Sequence, residues 1–168
     1  MVDSAEWAKA SGESANYVGE IRRCLSQYSY GDEAEAAKTH KELCKFLQAR
    51  LDKTAENAHL AMDFLRGPRT SELESAMRRL KDDVEIFRDE VTSSYVEWKY
   101  PRSPAIREII GKDVELVRSM LAVTKMSEEI REAALNRSLP IMLQKATEAN
   151  DLLSRMAYLF SDRERMCR

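Results

Sequence analysis

Glycine and proline are scarce in this chain of 168 residues, with five and four copies. An all-β fold needs a turn every 8–12 residues or so, and that material is missing. Cysteine is equally thin. Cys24, Cys44 and Cys167 are odd in number and far apart, and none forms a Cys-x-x-Cys pair. This argues against a disulfide framework and against a zinc site, and for free thiols in a reducing compartment. Only two histidines occur, His40 and His59, and no glycine-flanked nucleophile turn or phosphate-cradling glycine loop accompanies them. No apolar run is long enough to span a bilayer. The opening Met1-Val2-Asp3-Ser4-Ala5-Glu6 has neither the basic start nor the apolar core of a signal peptide, so a cytoplasmic location is expected. Asn136-Arg137-Ser138 matches a glycosylation sequon that has no secretory signal beside it.

The chain has no excess of one charge. Lys and Arg number 27 against 29 Asp and Glu, a formal net charge of -2, so no nucleic-acid partner is expected. What is present is apolar residues, 43% of the chain, recurring at helical spacing almost throughout. Five helical segments follow. The first spans about 4–28 with Val18, Ile21, Leu25 and Tyr28 as its stripe. Gly31 breaks it, and Asp32 with Glu35 opens a second helix over 33–66, carrying Cys44, Leu47, Leu51, Ala55, Ala58, Met62 and Leu65. Arg66-Gly67-Pro68 stops that helix, and Ser71-x-x-Glu74 reads as a capping box for the third. The third helix carries Leu73, Met77, Leu80, Val84, Phe87 and Val91. Ser103 and Pro104 open the fourth, with Ile106, Ile110, Val117, Leu121, Met126 and Ile130. A break at 136–138 precedes the fifth, with Leu139, Met142, Ala146, Leu153, Met156 and Phe160, and Pro140 in its first turn. Long helices with short connections predict one all-α domain over 1–168, an up-and-down antiparallel bundle of about five helices with coiled-coil-like seams.

Three groups of residues carry candidate chemistry. Glu56-x-x-His59 has the spacing of di-iron carboxylate bundles, and Asp63 extends the same helical face. A second such motif on another helix is absent, and His40 lies over about 25 Å away along the same helix. On the third helix Glu85 and Asp89 are one turn apart, so they could share a divalent cation. The plainer reading of both sets is a solvated charged face. Tyr95, Trp98 and Tyr100, where the third helix ends, suit an interface anchor, because aromatics bury large area and keep a polar handle. Neither a catalytic residue nor a bound organic cofactor is expected.

The run Glu72-Leu73-Glu74-Ser75-Ala76-Met77-Arg78-Arg79-Leu80-Lys81-Asp82-Asp83-Val84-Glu85-Ile86-Phe87-Arg88-Asp89-Glu90 resembles the signature of PhoU-like proteins. Leu80-Lys81 and Asp83-Val84-Glu85-x-x-x-Asp89 take the places of that family's Leu-Lys and Asp-Leu-Glu-x-x-x-Asp. The likeness covers residues 16–95. The family's Arg-Ile-Gly is Ile86-Phe87-Arg88 here, and no second Glu-x-x-x-Asp follows 121–130. The resemblance implies a three-helix repeat, an acidic metal-binding face holding Glu85 and Asp89, and a regulator of phosphate uptake that is not an enzyme. The expected function is thus a non-enzymatic helical interaction or regulatory protein, binding a protein partner or itself. The alternatives are a di-iron-type bundle enzyme and an adaptor subunit of a larger assembly.

Overall fold

The structure is a computed structural model describing residues 4–65, 68–97, 101 and 105–167, with the side chains of 96 and 97 excepted. The chain folds as an all-α antiparallel helical bundle, and no strand occurs among the described residues. Its helices are α1 (Ser4–Glu13), α2 (Ala15–Arg22), α3 (Glu33–Phe64), α4 (Ser71–Glu97), α5 (Ile106–Leu135) and α6 (Leu139–Met166).

The first segment was expected as one helix and is two. Ser14 leaves the helical region at φ -110° and ψ 27°, and α2 starts after it. Ser11, Gly12 and Ser14 crowd this stretch, and such residues hold helical backbone weakly. The stripe of α2 and the following loop is nonetheless buried as expected, from Val18 through Ile21 and Leu25 to Tyr28.

The ends of the helices follow local chemistry. Asp32 Oδ1 accepts the Glu35 amide at 2.8 Å, which is the expected N-cap of α3. The Glu35 carboxylate does not complete a capping box; it accepts from Ser29 Oγ at 2.5 Å. At α4 the cap sits one residue earlier than the sequence suggested. Thr70 Oγ1 accepts the Leu73 amide at 3.2 Å, so Ser71 is the first helical residue and the box with Glu74 does not form. The end of α5 falls at the expected break. Ser138 N donates to Ala133 O at 2.8 Å and Arg137 N to Ala134 O at 3.1 Å, a Schellman motif. It puts Arg137 at φ 54°, in the left-handed region. The start of α5 at Ser103 and Pro104, and the stop at Arg66 and Gly67, lie outside the described residues.

The chain divides into two compact units. Unit 1 holds residues 1–48, 90–118 and 158–168, and unit 2 holds 49–89 and 119–157. In unit 2 both hairpin connections are short, so α3 and α4 run antiparallel, as do α5 and α6. Asp52 pairs with Arg88 at 3.1 Å across the first hairpin, and Glu129 pairs with Lys145 at 3.0 Å across the second. The hairpins are joined through buried polar side chains. Asn57 Nδ2 on α3 donates to Ser127 Oγ on α5 at 3.0 Å, and Asn150 Nδ2 on α6 donates to Ala76 O on α4 at 3.1 Å. The helix order around unit 2 is therefore α3, α4, α6, α5, with parallel neighbours where the hairpins meet.

Unit 1 holds α1, α2, the loop over 23–32, the first parts of α3 and α5 and the last parts of α4 and α6. Arg118 clasps Glu20 with two hydrogen bonds of 2.6 Å, tying α2 to α5. Trp7 of α1 meets the rings of Tyr28 and Tyr30 edge-on, with centroids 6.3 and 6.0 Å away. Gly31 makes room for this contact, because a Cβ there would stand 3.3 Å from Trp7 Cδ1 and 2.8 Å from Glu35 Oε2.

The core stripe of α4 is buried at every expected position, from Leu73 to Val91. On α5 the stripe differs. Leu121 is exposed and Met126 is half-buried, while Ile109, Val114, Met120 and Val123 are buried beside Ile106, Ile110, Val117 and Ile130.

Arg137 occupies the Schellman position that glycine usually takes, and a non-glycine residue there is strained by about 1 kcal/mol. Arg137→Gly should therefore raise the unfolding free energy by up to about 1 kcal/mol, read as a higher midpoint in urea with an unchanged slope.

Candidate functional site

The deepest polar chemistry of the chain is in unit 1, around a guanidinium cut off from water. Arg163 lies on α6, one turn after the buried Phe160, and is itself fully buried. Its Nε donates to Asp113 Oδ1 of α5, and its Nη2 donates to Tyr30 Oη at 2.8 Å. Its Nη1 reaches His40 Nδ1 of α3 at 3.1 Å and Glu164 Oε1 at 2.9 Å. The other Asp113 oxygen accepts from Tyr28 Oη at 2.8 Å and from Tyr30 Oη at 2.6 Å. Asp113 and Arg163 thus compensate each other's charge with nearly every lone pair and donor in use. A buried ion pair needs this, since desolvating each ion costs several kcal/mol.

The tautomer of His40 follows from its partners. Arg163 can only donate, so Nδ1 accepts, and the ring proton sits on Nε2, which donates to Ser94 O of α4 at 3.1 Å. Burial and the neighbouring Arg163 cation hold its pKa at about 3, so the ring is neutral. Cys44 Sγ lies 3.4 Å from His40 Nε2. This resembles a nucleophile beside a base, yet Cys44 is fully buried and desolvation pushes its thiol up to about 12. Burial likewise drives the Tyr28 and Tyr30 hydroxyls well above the usual phenol range. The cluster is a sealed polar core. It holds α3, α4, α5, α6 and the 23–32 loop together in unit 1, and no reactant can enter it as it stands.

The open concavity that gathers predicted residues is in unit 2. A groove of about 670 Å³ runs between α3 and α4. Ala55, Ala58, Met62 and Met77 form its floor, and Glu56, His59, Arg69, Glu74, Arg78, Lys81 and Glu85 form its rims. Of the candidate metal ligands, Glu56, His59 and Glu85 line this groove. Asp63 is beside it, paired with His59 at 3.3 Å, and both side chains are largely exposed. Glu56 is held by Lys53 at 3.0 Å. Asp89 is exposed on α4 and is not part of the lining. Among the described residues no three His, Cys, Asp or Glu side chains come close enough together to hold a metal ion. Of the aromatic anchors, Tyr95 is half-buried in unit 1 with Lys41 Nζ 5.9 Å from its ring centroid. Trp98 and Tyr100 lie outside the described residues.

Compared with known proteins, the chain matches no family model, no curated protein and no solved structure.

The sequence reading missed Asp113 and Arg163, although a signal for both is present. Asp113 interrupts the buried series Ile106, Ile109, Ile110 and Val117, and Arg163 continues Met156 and Phe160 toward Cys167. A charge on a core register demands an opposite charge on another helix.

Two measurements test the polar core. Arg163→Met leaves Asp113 charged, buried and short of its main partner, and should cost about 3–5 kcal/mol in urea unfolding. Adding Asp113→Asn should recover part of that loss; a simple sum of the two single effects would show that they act independently. The pH dependence has a definite sign. His40 has a lower pKa folded than its ordinary value near 6.5, so below that pH the unfolded chain takes up a proton that the native chain refuses. Stability should fall from pH 6.5 toward 5 with a slope of up to about 1.4 kcal/mol per pH unit from this group, and His40→Gln should flatten it.

Proposed function

We propose that the protein works without catalysis, as a helical interaction module that receives a protein partner in the α3–α4 groove of unit 2. The observation that carries this reading is the groove's construction, an apolar floor of alanine and methionine between charged rims. Small alanines allow close approach of a partner, and methionine adapts its shape to different side chains. A central apolar strip with a polar border is also the usual anatomy of a protein interface.

The sealed core of unit 1 supports the same reading from the other side. His40, Cys44 and Asp113 are the groups best suited to acid–base or nucleophilic work, and all three are buried and committed to partners. A PhoU-like regulator is the narrower form of the proposal, in which Glu85 and Asp89 on the exposed face of α4 would take a divalent cation. The groove supports the broader form, because it needs no third ligand.

Photo-crosslinking in the cell tests the groove directly. A benzophenone side chain at Met62 should give one discrete protein adduct that disappears when Ala58→Lys blocks the floor. The same group at the exposed Gln144 of α6 should not give it. An identical adduct from both positions, or one indifferent to Ala58→Lys, overturns the proposal.

A further inference from the structure

The α4 rim of the groove carries four charged residues, Glu74, Arg78, Lys81 and Glu85, spaced by four, three and four. At 100° per residue these positions fall within an arc of about 60°, so they form one line along the helix. Read in order, the line is negative, positive, positive, negative. All four side chains are exposed, and none has an ion-pair partner among the described residues. The α3 rim is different, since Glu56 is taken by Lys53 and His59 by Asp63. Arg69, in the connection before α4, is held by the carbonyls of Met62 and Leu65, so the charge of the groove left without a protein partner among the described residues is on α4.

This order is a palindrome about the point between Arg79 and Leu80, and the symmetry bears on the partner. In a two-fold pairing of one groove on another, Glu74 would face Glu85 and Arg78 would face Lys81. Every facing pair would repel in that centred register, so the line disfavours a second copy of this chain stacked groove on groove along its full length. A different chain with the opposite order, positive, negative, negative, positive, satisfies all four charges. The same symmetry lets it bind in either direction along α4.

The occupant's backbone follows from the walls. Both are α-helices whose interior peptide groups bond within the helix, so an extended strand would find no main-chain partners here. A helix needs none, and its side-chain ridge fits a groove between two helices. The line from Glu74 to Glu85 is about 16 Å long, three helical turns. We infer that the groove accepts an amphipathic helix of another protein, at least three turns long. Its apolar ridge lies over Ala55, Ala58, Met62 and Met77, and an acidic pair on its flank, bracketed by basic residues, meets Arg78 and Lys81. The inference rests on the proposed role of the groove and adds the identity of what it binds.

Two synthetic peptides of equal composition, each of about 18 residues with a leucine ridge, test it by fluorescence anisotropy at low salt. One carries Lys-Glu-Glu-Lys at the matching four-three-four spacing, the other Glu-Lys-Lys-Glu. The first should bind at least about tenfold more tightly, and the exposed double substitution Arg78→Glu with Lys81→Glu should abolish the preference, because each peptide then meets two favourable and two unfavourable charges. Equal binding of both peptides to the unaltered chain overturns the charge assignment and leaves the groove standing. Binding of neither overturns the groove and the assignment together. A dimer of this chain in sedimentation, abolished by Met62→Glu, overturns the choice of a foreign helix.

Discussion

Arg163 carries a full positive charge to a fully buried position, and the packing of unit 1 is organised around that fact. A guanidinium so placed is tolerable only if each of its faces meets an acceptor, and the acceptors here come from three directions. Asp113 supplies the countercharge from α5, the neutral nitrogen of His40 accepts from α3, and Tyr30 closes the third side from the loop before α3. The tyrosines in turn need Asp113, and Trp7 of α1 rests on both of their rings. Each partner fixes the next one's position, so the register of α3, α5 and α6 in this unit is set by donor and acceptor geometry as well as by shape. An apolar core of similar size would tolerate a sliding helix. This one does not, because a slip of one residue strands a buried charge.

Much of the helical framework was legible in the residues. Apolar spacing located α3 to α6, Asp32 marked the start of α3, and 136–138 marked the end of α5. Periodicity says which face turns inward, and a cap needs only its own few residues, so both are local properties. The failures lie where a weak local preference was settled by packing. The Ser11 to Ser14 stretch broke one expected helix into two, and Leu121 gave up its core place to Met120 and Val123. Thr70 outcompeted Ser71 for the cap of α4 through a difference of one residue.

The sites were less legible than the fold. Glu56, His59 and Glu85 were singled out for their donor atoms, and they do share one groove, but as rim charges around an apolar floor. Spacing along one helix predicts that two side chains share a face. It says nothing of what lies opposite, and the floor of this groove is built by residues that sequence reading assigned wholly to the core. The neighbours α3–α5 and α4–α6 were likewise out of reach, since a bundle of antiparallel hairpins can close in more than one order. The Asn57–Ser127 and Asn150–Ala76 hydrogen bonds reveal which order holds.

The two units also differ in how far apart along the chain their partners lie. In unit 2 the α3–α4 pair and the α5–α6 pair are each joined by a short connection, so the first contacts of both hairpins need only small loops to close. In unit 1 the decisive partners are distant: Tyr28 and Asp113 are 85 positions apart, His40 and Arg163 are 123, and Tyr30 and Arg163 are 133. Closing such loops costs more chain entropy, and Arg163 sheds its hydration only when the last of its partners arrives. A ribosome releases Tyr30 and His40 long before it makes Arg163. During synthesis the first half of α3 therefore waits with its polar face unfulfilled, while hairpins elsewhere can already form, and the nascent chain is most exposed to misassociation through that interval.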